Sequence, residues 1–434
     1  MKKQILIIIV LLLILIFILL GVFLIYKKEN KKTIRKDEPI KPVEKIEGDY
    51  NLNIIKTINA NEDSNYLISP YSIEVALNML KDGSDNNTKE EIERAVPPRT
   101  ITDVSIKNRI GIANATFIKD KFKDYVETSF TNNLKTNYKA ELIYDSFKNP
   151  DKINTWVDKN TNGMIKKVLE DIDDSFVLGL ANAIAIDVEW HSDFECEYTR
   201  SKKFTKLDNT KIDVEMMAQT YTGYAEYFET DNAKGVIIPY KKYDKNGEIT
   251  SGEGNQLEFV GILPNSNTKE YINNLTNEEL ESIDTNKKTA TDSVRLSLWL
   301  PRFKYDYSVK ELKRILGEIG INDVFSETKA DLTKIITRDN MKKSNMDNLY
   351  VGTAIHKTHI DLNEKGTKAA AVTFFGLNET TSVLDQEPPK YIDIHFEKTF
   401  AYMIRDKKSK EILFFGLVDE PNKWEGSTCE EAIN

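Results

Sequence analysis

The chain has 434 residues, 30% of them charged, and a formal net charge of −9. A chain this long can bury a large core, and an acidic balance with basic residues dispersed beyond residue 45 excludes general affinity for nucleic acid. Its two cysteines, Cys196 and Cys429, lie far apart; they imply no disulfide framework and read as two free or incidental thiols.

Met1-Lys2-Lys3 precedes an almost unbroken apolar run from Ile5 to Tyr26. As a helix rising 1.5 Å per residue the run is long enough to cross a hydrocarbon core of about 30 Å. It lacks the short apolar core and small-x-small site of a cleavable signal. Residues 1–4 therefore read as a basic N-terminus, 5–26 as a transmembrane anchor or uncleaved signal, and 27–48, rich in Lys, Glu and Pro, as a charged tether. Lys27, Lys28, Lys31, Lys32, Arg35 and Lys36 outnumber Lys2 and Lys3, which favours a cytoplasmic body, although long domains are exported regardless of flanking charge. No Gly/Ser-rich or Pro-rich linker follows, so 49–422 reads as one large α+β domain, with 423–434 as a C-terminal tail.

Along this domain, Leu52 to Ile58 has helical spacing. Ser72 to Leu80 reads as a helix with Ser72 near its cap and Gly83 past its end. Asn114 to Ile118 reads as a strand, Phe122 to Asn133 as a helix, and Pro150 to Leu169 as a helical stretch bent near Gly163. β-branched and aromatic runs follow at Ala183 to Val188, Gly235 to Tyr240, Leu257 to Leu263 and Val294 to Leu300. Between Tyr240 and Leu257 lies a long polar hairpin with a turn at Asn246-Gly247. Val309 to Ile319 is amphipathic. Strands are expected at Ala354 to Asn363, Tyr391 to Phe396, Phe400 to Ile404 and Ile412 to Val418, the last two apolar enough to be buried on both faces.

The segment Glu364-Lys365-Gly366-Thr367-Lys368-Ala369-Ala370-Ala371-Val372-Thr373-Phe374-Phe375 is β-competent, yet it stands where a loop is expected. Gly366 offers a pivot. Thr367, Ala369, Ala371 and Thr373 fall on one face at the strand period, small enough to slide between existing strands, while Lys368 and Ala370 fall on the other. This is a segment with two alternative homes.

That segment, with Phe396-Glu397-Lys398-Thr399-Phe400 and Ile412 to Val418 behind it, resembles the reactive-centre region of the serpins. The resemblance extends upstream through Asn65 to Ile73, Leu180-Ala181-Asn182-Ala183 with Trp190 and Phe194, Val214-Glu215-Met216-Met217 and Leu300-Pro301-Arg302-Phe303. It implies a serpin fold of about three β-sheets, a large central one among them, with eight to nine helices and an exposed reactive-centre loop, here preceded by the N-terminal transmembrane helix. It also implies that 150–169 is the helix crossing the large sheet, and that residues 96–110 shorten a helix and loop on which a glycosaminoglycan site would sit.

The resemblance further implies roles for residues. The hinge comprises Glu364, Gly366, Thr367, Ala369, Ala370, Ala371, Val372 and Thr373. Ser69, Ser72, Asn182 and His356 form a polar shutter beneath the sheet. Trp190, Arg302 and Glu364 form the breach at its top, where an exposed ion pair would contribute only about 0–1 kcal/mol. Counting seventeen positions from Glu364 puts the reactive bond at Thr380–Thr381; counting back from Phe396 gives Pro388, and Leu384 and Asp385 are alternatives. Lys368 and Thr399 replace a usual acidic residue and a common proline, and Phe374 and Phe375 are bulky for rapid insertion.

The expected function is inhibition of a serine-type endopeptidase by covalent acyl-enzyme trapping with loop insertion. The alternative is a non-inhibitory serpin-fold binding or surface protein. The expected partner is a subtilisin-, elastase- or chymotrypsin-like serine protease, with a cysteine protease as a further class, and the membrane through the N-terminal helix; a nucleic-acid partner is not expected, and the chain is expected to be a monomer. The expected localisation is membrane-anchored with an extracellular serpin domain, or secreted if the N-terminal segment is cleaved. No cofactor is expected. Nor is a metal, because His356 and His359, three apart on a strand, point to opposite faces. No nucleophile elbow, zinc helix or phosphate loop occurs to suggest an enzyme.

Overall fold

The computed structural model describes residues 49–99, 106, 109–367 and 388–424. The chain divides into two units, Met1–Glu44 and Lys45–Asn434, of which the first lies outside the described residues. The expectation of a transmembrane helix is corrected here. Among the described residues no helix is long and apolar enough to cross a membrane, and segment 5–26 lies outside them. The anchor, the signal-anchor, the membrane as a partner and the membrane-anchored localisation are withdrawn with it.

The domain opens with α1 (Tyr50–Asn61), β1 (Tyr66–Ile68), α2 (Pro70–Asp82), α3 (Asn86–Ala95), β2 (Ile110–Lys119), α4 (Thr128–Tyr138), β3 (Glu141–Asp145) and α5 (Asp151–Asn160). There follow β4 (Leu178–Ile186), β5 (Val188–Glu189), β6 (Arg200–Thr205), β7 (Lys211–Tyr221), β8 (Glu226–Glu229), β9 (Ala233–Pro239) and β10 (Leu257–Pro264). Next come α6 (Thr268–Asn273), α7 (Asn277–Thr285), β11 (Lys288–Thr289), β12 (Val294–Pro301), β13 (Phe303–Ser308), α8 (Leu312–Glu318) and α9 (Arg338–Lys343). The described residues close with β14 (Lys357–Asn363), β15 (Gly366–Thr367), β16 (Lys390–His395), β17 (Phe400–Asp406) and β18 (Ile412–Val418).

A sheet ordered β1-β18-β17-β10-β9-β8-β11 forms the core. β10, β17 and β18 are buried at every position, as their largely apolar runs require, and the charges that interrupt them are paired, Arg405 of β17 donating to Glu258 of β10. A second sheet runs β16-β12-β7-β6, a third β13-β14-β15-β5 and a fourth β3-β2-β4. β5 follows β4 after the single residue Asp187, so the third and fourth sheets are joined by the chain at that point. Helix α2 packs against β4 and β18. It is apolar around most of its circumference, the pattern of a helix enclosed on all sides. Its N-cap is Ser69, whose side chain accepts from Ser72 N–H, with Pro70 in the first turn; the cap therefore lies three residues earlier than the sequence suggested.

Two predicted helices differ from their expected spans. The stretch 150–169 is helical only to Asn160. Asn162 and Gly163 then take successive left-handed conformations (φ +50° and +75°), which end a right-handed helix. Asn154 holds the returning chain by accepting from Val168 and Leu169 N–H and donating to Leu169 O. Phe122 to Asn133 divides into a 3-10 turn, Asp120–Tyr125, and α4.

The feature that positions the site is a split. β4 pairs with β2 along its whole length and β14 pairs with β13, but among the described residues β4 and β14 share no ladder. Only at one end does β15 bridge β14 to β5.

Candidate functional site

β15 is two residues long, and both matter. It is antiparallel to its two neighbours, Gly366 standing opposite Asn363 and Glu189, and Thr367 opposite Leu362 and Val188. Gly366 has φ +151°, and a Cβ there would lie 2.1 Å from Val188 O and 2.8 Å from Glu189 Cα. No other residue fits without displacing backbone. The sequence suggests a pivot at Gly366; the structure adds a close-approach requirement that only the neighbouring strand reveals. Thr367 is buried, with its Oγ1 2.7 Å from Tyr240 OH. Burial holds the Tyr240 phenol far above its ordinary pKa, so it stays a neutral hydrogen-bonding group.

The turn before β15 is clasped by the segment after β5. Three consecutive carbonyls accept from it: Asn363 O from Trp190 Nε1 (2.8 Å), Glu364 O from Phe194 N–H (2.9 Å) and Lys365 O from Trp190 N–H (2.8 Å). The Trp190 indole is fully buried and stacked on Tyr240 with centroids 4.5 Å apart, so its donor is fixed by packing.

Glu364 occupies the middle of this turn and is fully buried. Its carboxylate accepts from Arg302 Nε, at 2.9 Å to Oε1 and 2.7 Å to Oε2, and from the Thr199 hydroxyl. Arg302 also faces Glu215 at 3.5 Å. The structure thus brings Trp190, Arg302 and Glu364 together, and corrects the expectation of an exposed pair. Arg302 and Glu364 side chains are 5% and 0% exposed, a setting in which loss of one partner costs far more than at a surface.

The polar residues beneath the split are only partly joined. Ser69 N–H donates to His356 Nε2 at 3.0 Å, so the neutral imidazole is the acceptor. Ser69 Oγ accepts from Ser72 N–H, and Thr358 Oγ1 donates to Leu67 O at 2.7 Å beside them. Burial lowers the His356 pKa to about 4. Asn182 belongs to a different arrangement: it donates to Asn114 Oδ1, and Asn114 donates to Tyr138 O. No hydrogen bond joins Asn182 to Ser69, Ser72 or His356 among the described residues. His359 pairs with Asp306 instead of sharing a ligand with His356.

Comparison with known proteins places this geometry. The sequence model for Serpin, described as serine protease inhibitor, matches residues 46–421. The chain belongs to the serpin family. Neuroserpin of Homo sapiens is 26% identical over 405 residues, covering 86% of this chain and 90% of that protein. The crystal structure of the thermophilic serpin tengpin in its native state aligns with a TM-score of 0.70 and 29% identity, over 88% of this chain and 97% of that one. Tengpin in its latent state aligns with a TM-score of 0.65 and 28% identity, over 86% and 97%. As a serpin, the chain is a non-catalytic protease inhibitor and not an enzyme.

In this serpin, Ala369, Ala370, Ala371, Val372 and Thr373 lie outside the described residues, as do the candidate bond positions Thr380, Thr381, Leu384 and Asp385. Sequence reasoning missed Thr199, Tyr240 and Asn114. Each meets its partner across a wide gap in the chain, such as the 165 residues between Thr199 and Glu364, and no local pattern marks them. It also misjudged Cys196, which is disulfide-bonded and not a free thiol. Thr399, where the sequence comparison suggested a departure from proline, uses the N–H that proline lacks: it donates to Thr205 O at 3.0 Å.

Proposed function

We propose that this serpin inhibits a serine protease as a suicide substrate. The protease's serine oxygen attacks the carbonyl of Thr380; the bond to Thr381 N breaks, that nitrogen leaves protonated, and an ester joins Thr380 to the enzyme. The severed segment from Lys368 to about Leu377 then enters the sheet between β4 and β14, continuing the strand begun by Gly366 and Thr367. At about 3.3 Å per residue, about ten residues would carry the acylated protease about 33 Å, and deacylation stalls in the distorted enzyme. Leu384–Asp385 is the alternative bond. Threonine at the cut suits an elastase-like or subtilisin-like pocket, leucine a chymotrypsin-like one.

The observation that carries this reading is the position of β15 relative to the split. The first two residues of the loop already hold a strand position, hydrogen-bonded on both sides, where β4 and β14 share no ladder below. Insertion continues a strand that has begun, so each added residue meets an existing partner without a new nucleation step. The matches to one relative in both native and latent states agree with a fold that has two stable forms.

The test is incubation with subtilisin-, elastase- and chymotrypsin-like proteases, followed by denaturing electrophoresis and mass spectrometry. The expected result is an adduct of protease plus truncated serpin that survives denaturant, with the released C-terminal peptide beginning at Thr381. Complete cleavage without an adduct, for every protease, would reject the trap.

A further inference from the structure

Residues 241–256, the long polar hairpin between β9 and β10, fold back on themselves around one aromatic residue. Tyr243 lies between two returning segments, bridged to Ile249 on one side and to Asn255 on the other. With Asn255 it exchanges both backbone hydrogen bonds, at 3.0 and 2.9 Å. Gly254 passes so close that a Cβ there would stand 2.3 Å from Tyr243 O, and the Asp244 carboxylate closes the turn by accepting from Asn246 and Glu248 N–H. Polar as the segment is, Tyr243 is fully buried.

What buries it is β5. On its inner side this strand faces the root of the loop: Val188 stands opposite Thr367, and Trp190 N–H donates to Lys365 O. Backbone groups alternate sides along a strand, so Glu189 turns its own N–H and C=O outward. Strand β2 accompanies β4 on that outer side only up to Ile110, opposite Ile186. Beyond that point the hairpin takes over. Glu189 N–H donates to the Tyr243 hydroxyl at 3.0 Å, and Glu189 O accepts from Lys241 N–H at 2.8 Å. The Glu189 carboxylate is held by Lys241 Nζ at 2.6 Å and Arg109 Nη1 at 3.2 Å. Arg109 joins the two parts a second time: its guanidinium carbon lies 4.8 Å from the centre of the Tyr243 ring, and its backbone O accepts from Asp187 N–H at 2.7 Å. Burial pushes the Tyr243 phenol up to about 12, so it stays a neutral acceptor at ordinary pH.

We propose that Tyr243 is a positioning residue for loop insertion. Through its hydroxyl the hairpin completes the outer edge of β5 and holds that strand straight as the template on which the loop's root sits and from which the rest of the loop adds. The acyl-enzyme has two fates. Either the loop inserts, or water adds to the ester carbonyl, the serine oxygen leaves with a proton, and the cleaved serpin departs with a new carboxylate. A template whose outer groups lack partners frays, which slows insertion and leaves hydrolysis as it was. This consequence rests on the trapping mechanism proposed above; the contact between hairpin and β5 does not.

The test compares the whole protein with Tyr243→Phe, which removes the hydroxyl and keeps the ring beside Arg109, and with Ile249→Ala, which alters an exposed side chain of the same hairpin. In Tyr243→Phe, amide exchange is expected to quicken about fivefold to tenfold at Glu189 and Trp190, the loss of one hydrogen bond. The ratio of cleaved serpin to denaturant-resistant adduct should rise by a similar factor, while intact serpin is consumed at an unchanged rate. Ile249→Ala should leave all three as they are. Glu189→Gln, which keeps the backbone and removes the charge facing Arg109 and Lys241, should move the ratio in the same direction by a smaller factor, and it carries the test if Tyr243→Phe fails to fold. An unchanged ratio overturns the proposal. A lower ratio also overturns it, by making the hairpin a brake on insertion. If the unaltered protein is cleaved by every protease without an adduct, the trapping mechanism is the part that fails; faster exchange at Trp190 in Tyr243→Phe then upholds the brace on β5, and an unchanged rate removes it.

Discussion

Glu364 shows how much one buried charge can hold. Its carboxylate has no solvent contact, and Arg302 answers both of its oxygens. Arg302→Met would leave Glu364 and Glu215 enclosed without their cation, a loss on the order of 3–5 kcal/mol. Glu364→Gln keeps Arg302 opposite Glu215 and should lose less; denaturant unfolding of both variants checks that order. Gly366 answers to shape and not to charge. Gly366→Ala sets a Cβ against Val188 O and should expel β15 from the sheet at about 1–3 kcal/mol, seen as faster exchange of the Thr367 amide. His356 answers to pH. Its folded pKa of about 4 is depressed by burial from an unfolded value of about 6.5. The unfolded chain therefore binds more protons between those values, and stability falls as pH drops from about 6.5 to about 4, by as much as about 3 kcal/mol. Protonation also removes the lone pair that Ser69 N–H uses. His356→Gln should flatten that part of the stability-pH curve; an unchanged slope would place the titration elsewhere.

At the scale of elements, β15 has a length set by competing partners. Its two residues already bond to β5 and β14, and the residues that follow carry side chains small enough to continue the strand. In a continued strand Ala369 and Ala371 would share the face of Thr367, which is buried against Tyr240. An arginine on that face would have to bury its charge for insertion to proceed. Ala371→Arg is accordingly expected to convert the inhibitor into a substrate: cleavage at an unchanged rate, with the adduct band reduced at least tenfold. A variant that retained full adduct yield would argue against insertion along this face.

For the whole molecule, the prediction is a change of stability on cutting one bond. Backbone hydrogen bonds each contribute about 0.5–1.5 kcal/mol net, so about ten newly inserted residues bonded on two sides add on the order of 10 kcal/mol. At about 2–4 °C per kcal/mol for domains of intermediate size, and less for longer ones, cleavage of the loop should raise the melting temperature by about 20 °C. Intact and nicked protein that melt together would remove the stored energy on which trapping depends.

Much of this protein is legible in one dimension. The apolar runs of β17 and β18 announce a core buried on both faces, because side-chain period and size are local properties; the parity of Thr367, Ala369 and Ala371 suggests a strand by the same reasoning, although Ala369 and Ala371 lie outside the described residues. The juxtaposition of Trp190, Arg302 and Glu364 was reached only through family resemblance. Tertiary structure alone decided the rest. Burial turned Arg302–Glu364 from a surface pair into an enclosed one, Val188 made glycine obligatory at 366, and Asn182 found Asn114 instead of the cluster around His356. A residue's type records what it can bond; which group stands opposite, and whether water reaches them, is set by chain segments scores of residues away.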